Sequence, residues 1–381
     1  MDFSLSEEQV MFRDLFRDFA TKEIARVAEH TDKQEEPPRA LLRKAAAQGF
    51  LGGPLPEQYG GAAMDTLTYC LMLEEFAKQC QSTAVTIAIH TSLAAQTVLE
   101  AGTEEQKQEY LPIMASGELG AFALTEPDAG SDISNLQTRA TFAEGAWHLD
   151  GVKSWVSNGG LARAFIVFAK TEGGLSAFLV DSDHPGVLLG SREPTLGLRG
   201  LDVRTVYFEG LRLPENSLLG PRDGGAAIAA RAYDRLKVAL AAVALGAAET
   251  ALQLGVSFAV ERKQFGIAIA HKQAMQNYIA DVHADIEALR HTLYYAAWLV
   301  DTGRDFSHAA ALAKYLGARV AKDAANKMLQ VHGGYGFSDE YTISRVYRDV
   351  RALRILGGTD EVQRVQIAGE VLRQAGVQIG M

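Results

Sequence analysis

The chain has 381 residues, 48% hydrophobic and 22% charged, proportions that suit a folded globular protein of two or three domains and argue against disorder. A formal net charge of −10 leaves no surplus of cations to neutralise a phosphate backbone, which argues against a non-specific nucleic-acid binder.

In chain order, residues up to 118 read as helical. Ser6-Glu7-Glu8-Gln9 is a capping-box pattern ahead of apolar residues at helical spacing. The opening MDFSLSEEQVMF has no basic stretch followed by an apolar one, so it does not read as a secretory signal, and a cytoplasmic location is expected. EEPPRALLRKAAAQGF predicts a helix begun by prolines and ended near Gly49. PLPEQYGG predicts a loop, and TLTYCLMLEEFAK and STAVTIAIHTSLAAQTVLEAG predict long apolar helices. Cys70 and Cys80 show no metal spacing or disulfide framework and read as buried thiols. Between about Gly120 and Gly220 the segments become short, alternating and punctuated by Gly, Asp and Pro, which predicts a β region. From about Ala226 helical periodicity returns. The longest apolar run, Val238 to Ala248, is too short for a bilayer and reads as a core helix, so no membrane span is expected. The expected division is a helical domain over 1–118, a β domain over 119–225 and a helical bundle over 226–381.

Five stretches stand out chemically. AFALTEPDAGSD carries Thr125, Gly130 and Ser131 on a turn-rich segment whose N–H groups and hydroxyls suit a heterocycle edge or a phosphate. GVKSWVSNGG sets Trp155 and Ser157 two apart, which on a regular strand is one face. ERKQFG ends a helix with cations and an aromatic ring, and QVHGGYGF is a glycine turn. RILGGTDEVQR breaks a helical neighbourhood with a Gly-Gly pair, which lets backbone approach a ligand closely. Singly, each is also ordinary turn or core chemistry.

Together, ALTEPDAGSD, KSWVSNGG, ERKQFG, QVHGGYGF, YRDVR and GGTDEVQR, in this order, resemble the acyl-CoA dehydrogenase family from end to end. The resemblance implies an α+β multi-domain fold: an N-terminal helical domain, a middle β-barrel or sandwich and a C-terminal four-helix bundle. It implies FAD, an acyl-CoA or acyl-carrier-protein thioester as substrate, and an electron-transfer flavoprotein or another acceptor. It also implies a homotetramer in which a neighbouring subunit completes each site. Carried over by position, Leu124 and Thr125 meet the flavin, with Gly130 and Ser131 nearby. Trp155 covers the ring system and Ser157 faces N5. Arg262, Phe265, Gln273, Gln330, Gly333 and Gly334 of the neighbour hold the pyrophosphate and adenosine, and Thr359 and Glu361 return to the first subunit's FAD. Ser131, Asp234, Lys237 and Gly358 are implied to bind substrate.

The same comparison leaves the catalytic base unassigned. Relatives remove the α proton of the thioester with a glutamate in one of two places. Here the first place holds Gly357 and the second Leu236. Tyr233, one helical turn before Leu236, is a candidate acid, since a phenol with a reference pKa of about 10 is a poor base at neutral pH. His90 lies on a helix expected to border the acyl pocket. Three readings fit such a site: dehydrogenation with a relocated base or of a substrate whose α proton is already acidic, enoyl-thioester reduction or flavin oxidation, and a non-catalytic subunit of a hetero-oligomer.

Overall fold

A computed structural model describes residues 4–377. Helices α1 (Glu7–Phe19), α2 (Ala25–Gln34), α3 (Arg39–Ala47), α4 (Thr66–Gln79), α5 (Gln81–Ala88), α6 (Gln96–Ala101) and α7 (Glu104–Ala115) come first. The capping box is present: Ser6 Oγ accepts from Gln9 N–H at 3.1 Å, and the Gln9 side chain accepts from Ser6 N–H at 3.1 Å. A π-helical segment, Ile89–Ala95, separates α5 from α6, so the stretch that reads as one long helix is two helices about a widened turn.

The middle of the chain forms β1 (Leu119–Ala123), β2 (Arg139–Ala143), β3 (Ala146–Ser157), β4 (Ala162–Lys170), β5 (Leu175–Asp181), β6 (Val187–Arg192), β7 (Val203–Pro214) and β8 (Leu218–Leu219). They make one mixed sheet in the order β6-β7-β3-β2-β4-β5-β8, with β1 parallel to β4. The sheet folds over on itself. Phe165 of β4 and Phe208 of β7 are three strands apart, about 14 Å in a flat sheet, yet their rings lie 6.1 Å apart. Trp147 of β3 and Phe178 of β5 meet at 5.1 Å in the same way. The inner face thus has its own core, while Ile166 and Phe168 of β4 join the core of the helices. Helices cover the outer face, so β4 is buried on both sides and does not alternate as a half-exposed strand would.

The last part holds α8 (Gly225–Glu261), a short hairpin of β9 (Lys263–Gln264) and β10 (Ile267–Ala268), then α9 (Gln273–Asp301), α10 (Ser307–His332), α11 (Thr342–Ala352) and α12 (Asp360–Gln374). By length and composition α8 could cross a membrane, but 72% of its most apolar window is buried inside the molecule, the mark of a core helix. Its small residues permit close crossings. A Cβ at Gly246 would sit 2.2 Å from the Glu74 carbonyl oxygen, so α4 crosses α8 backbone to backbone there. Cys70 and Cys80 are buried free thiols.

Candidate functional site

The start of α8, the π-helical segment, the bulged end of β3, the turn after β1 and the loop before α12 close around one cavity of about 1520 Å³. It gathers Leu124, Thr125, Gly130, Ser131, Trp155 and Ser157 from the sheet side, Tyr233, Asp234, Leu236 and Lys237 from α8, and Gly357, Gly358 and Thr359 from the loop. Ile89, Leu93 and Leu356 add apolar wall.

Trp155 and Ser157 reach this cavity differently from the expectation of one strand face. The register between β3 and β7 shifts between Lys153 and Val156, and Trp155 has φ +57°. A bulge therefore turns the indole outward, 61% exposed, while Ser157 stays buried. Strict alternation of a regular strand is broken at the point where the cavity needs both groups.

A buried ion pair ties this strand to the AFALTEPDAGSD turn. Lys153, with no exposed surface, donates to the Leu124 carbonyl at 3.0 Å and to Glu126 Oε1 at 2.7 Å. Glu126 also accepts from the Gln137 and Thr138 N–H groups. Burial lowers the Lys153 ammonium to about 8. Burial works against the Glu126 carboxylate, but hydrogen bonds from Lys153, Thr138 and Gln137 outweigh it and hold its pKa below the usual range. Sequence reading misses this staple. Its only signal is one opposite charge in each of two flanking motifs.

The two places where relatives carry the base are neighbours in space. A Cβ at Gly357, whose φ is +71°, would lie 2.8 Å from Leu240 Cδ1 and 3.3 Å from Leu236 Cδ2. The corner between them is hydrocarbon. The loop itself is held from behind: Lys314, buried on α10, donates to the Gly358 carbonyl, and Gln363 Nε2 donates to the Gly357 and Gly358 carbonyls at 3.4 and 3.3 Å. Burial lowers Lys314 to about 8. Thr359 caps α12, its Oγ1 accepting from Val362 N–H.

The polar side of the cavity is a network. Lys237 Nζ donates to Asp234 Oδ1 at 2.7 Å and to Gln366 Oε1 at 2.8 Å, and Ser307 Oγ donates to Asp234 Oδ2 at 2.6 Å. Asp234 and Leu236, two residues and so about 200° apart around α8, both line the cavity because it wraps the helix start. Tyr233 is half-buried, packs edge-on against Phe122 at 5.7 Å, and is pushed up to about 12 by burial against a hydrogen bond with Thr125. The helical stretch that carries His90 borders the cavity through Ile89 and Leu93, as expected, but the imidazole does not enter it. His90 is fully buried behind the wall, Nδ1 accepting from Gly120 N–H at 3.0 Å.

The remaining residues singled out by sequence lie elsewhere. Glu361 is exposed and faces Arg364 rather than the cavity. Arg262, Gly333 and Gly334 line a second cavity of about 660 Å³, at the far end of α8, with the Arg262 guanidinium 5.4 Å from the Tyr335 ring centre. Phe265 is 93% exposed on the β9–β10 turn, and Gln273 and Gln330 are exposed. A Cβ added at Gly130, Gly333 or Gly334 would meet nothing within 4 Å, so at all three the backbone faces open space that a ligand can approach.

A helical layer, a folded sheet and a helical bundle around one deep cavity, apolar at one side and networked at the other, define a protein of mixed architecture built to bind a small molecule. The profile described as acyl-CoA dehydrogenase, C-terminal domain, matches residues 223–372; the N-terminal domain profile matches 6–118 and the middle domain profile 121–211. The chain belongs to the acyl-CoA dehydrogenase family. An acyl-CoA dehydrogenase of Bacillus subtilis (strain 168) is 40% identical over 374 residues, 97% of this chain and 99% of that protein. An acryloyl-CoA reductase (NADH) of Anaerotignum propionicum is 39% identical over 382 residues, 98% of this chain and 97% of that protein. The solved structure of butyryl-CoA dehydrogenase from Megasphaera elsdenii superposes with a TM-score of 0.96 at 35% identity, covering 98% of this chain and 100% of that one.

Proposed function

We propose that the chain is an FAD-dependent acyl-thioester oxidoreductase acting on the bond between the α and β carbons. The observation that carries this is the single cavity that unites four separated motifs, apolar beside Ile89, Leu93, Leu236 and Leu356 and polar beside Asp234, Lys237 and Ser131. An acyl chain suits the first side and a pantetheine arm of amides and hydroxyls suits the second.

The residues present fit FAD. Gly130, Gly333 and Gly334 leave backbone open to a ligand, and Arg262 makes no ion pair among the described residues, so it is free to meet a pyrophosphate. In this assignment Leu124, Thr125, Trp155, Ser157 and Thr359 hold the flavin. Arg262, Phe265, Gln273, Gln330, Gly333 and Gly334 hold the adenosine and pyrophosphate of a partner's cofactor, with Glu361 on the rim. FAD, when bound, exchanges a hydride with the β carbon at its N5. The chain's own residues do the rest. Trp155 and Leu236 exclude water, and the Asp234–Lys237–Gln366 network fixes the thioester arm. A second copy of the chain, in a homotetramer, supplies the far half of each cofactor site, and an electron-transfer flavoprotein or another acceptor takes the electrons.

The test is spectroscopic. The purified protein is expected to be yellow, and a panel of acyl thioesters, on CoA and on carrier protein, is expected to bleach the flavin anaerobically. With no carboxylate at position 357 or 236, bleaching by saturated thioesters such as butyryl-CoA is expected to be about 10²–10⁴-fold slower than a general base would allow. Colourless protein that cannot be reconstituted with FAD overturns the assignment.

A further inference from the structure

Four carboxylates line the main cavity among the described residues, and each is already committed. Glu126 is held by Lys153, and Asp234 by Lys237 and Ser307. Glu370 pairs with Arg373 at 2.7 Å, and Asp305 accepts from Ser307 N–H at 3.1 Å. His308 faces Glu370, eleven residues along α12 from Thr359, which is about 16 Å by helical rise and far from the Leu236–Gly357 corner. Lys314 is turned to the Gly358 carbonyl behind the loop and does not reach the cavity. Lys237 is likewise committed, donating to Asp234 and Gln366, so among the described residues Tyr233 is the titratable group left beside the hydrocarbon corner. Tyr233 stands one turn before Leu236 on the same stripe of α8, lines the cavity, and is held edge-on against the Phe122 ring.

We propose that Tyr233 is the proton donor to the acyl α carbon, so that this site is equipped to reduce an α,β-unsaturated acyl thioester. The inference rests on the acyl-thioester reading above and assigns that site a direction of use. In the reaction the C=C π bond breaks. Hydride from reduced FAD forms the new C–H bond at the β carbon, the thioester takes up the electron pair as an enolate, and the Tyr233 O–H bond breaks as its proton forms the C–H bond at the α carbon. The phenolate regains a proton from solvent. Burial keeps the phenol protonated at neutral pH, so the proton sits on the protein at the outset, whereas oxidation would first require the phenolate.

The experiment uses the FAD-loaded protein, with its flavin reduced chemically under anaerobic conditions and crotonyl-CoA as the probe. Wild type is expected to reoxidise its flavin and, in deuterated water, to place deuterium at the α carbon of the butyryl-CoA formed, located by mass spectrometry. Tyr233→Phe is expected to keep its flavin spectrum and melting temperature, and to lose at least about a hundredfold in rate. Tyr233→Phe/Leu236→Glu is expected to regain rate, because a carboxylate one turn along takes over. A Tyr233→Phe rate within threefold of wild type overturns the proposal. If Tyr233→Phe does not fold, Leu236→Glu alone decides. At least a tenfold gain in oxidation of butyryl-CoA supports a site that has no base of its own and holds its proton on the phenol, and no gain overturns it. Wild type that holds FAD but reacts with neither crotonyl-CoA nor butyryl-CoA defeats the acyl-thioester reading itself, a result distinct from an unaffected Tyr233→Phe.

Discussion

At the scale of single residues, Gly357 and Leu236 differ in what they would accept. Gly357 sits at φ +71° with Leu240 Cδ1 2.8 Å from any added Cβ. A side chain there costs about 1–3 kcal/mol in backbone conformation before the clash is counted. Leu236 is on an ordinary helix with its side chain on the cavity wall. Gly357→Glu is therefore expected to lower the melting temperature by several degrees with little gain in bleaching by butyryl-CoA. Leu236→Glu is expected to give the larger gain, and comparing the two by thermal melts and anaerobic absorbance checks the ranking. Sequence order alone located both positions, because flanking motifs fix their register. That they meet in space was not legible, since 120 residues of chain separate them. The outward turn of Trp155 was equally hidden: a period of two assumes a regular strand, and a bulge is a property of the pair of strands.

At the scale of elements, the π-helical segment Ile89–Ala95 shows how burial erases a pattern. Every residue in it is buried, so apolar spacing offers no clue to the widened turn. His90 in this segment joins the helical layer to β1 through Gly120 N–H. Burial lowers its pKa to about 4. A histidine kept neutral in the folded state stabilises above its unfolded value near 6.5 and loses that contribution as pH falls from there to about 4. The loss is on the order of 3 kcal/mol when complete. His90→Gln is expected to flatten this acid limb, measured as urea midpoints across the same pH window, and an unchanged slope would count against it. The capped start of α1 was legible to the residue because the signal is local, whereas β4, read among alternating strands, is buried on one face by the sheet's own core and on the other by helices.

At the scale of the whole molecule, the order helix, strand, helix was plain in the sequence because each part has its own period and punctuation. The gathering of four motifs into one cavity was not, because it depends on how the sheet folds over and on where α8 begins. The second cavity is the more telling case. Arg262, Gly333 and Gly334 belong to the same set of motifs, yet the chain holds them apart from the first cavity.

The rod of α8 sets that separation. Leu236 near its start and Arg262 just past its end are twenty-six residues apart, about 39 Å along a straight helix, so the two ends cannot serve one cofactor molecule within one chain. In a two-fold dimer the consequence is genetic complementation. A chain spoiled at one end by Asp234→Ala and a chain spoiled at the other by Arg262→Glu should each be nearly inactive. Co-expressed, half of randomly formed dimers are mixed, and each mixed dimer has one site with both defects and one with neither. About a quarter of wild-type activity should then return, and none would return if each chain built its site alone.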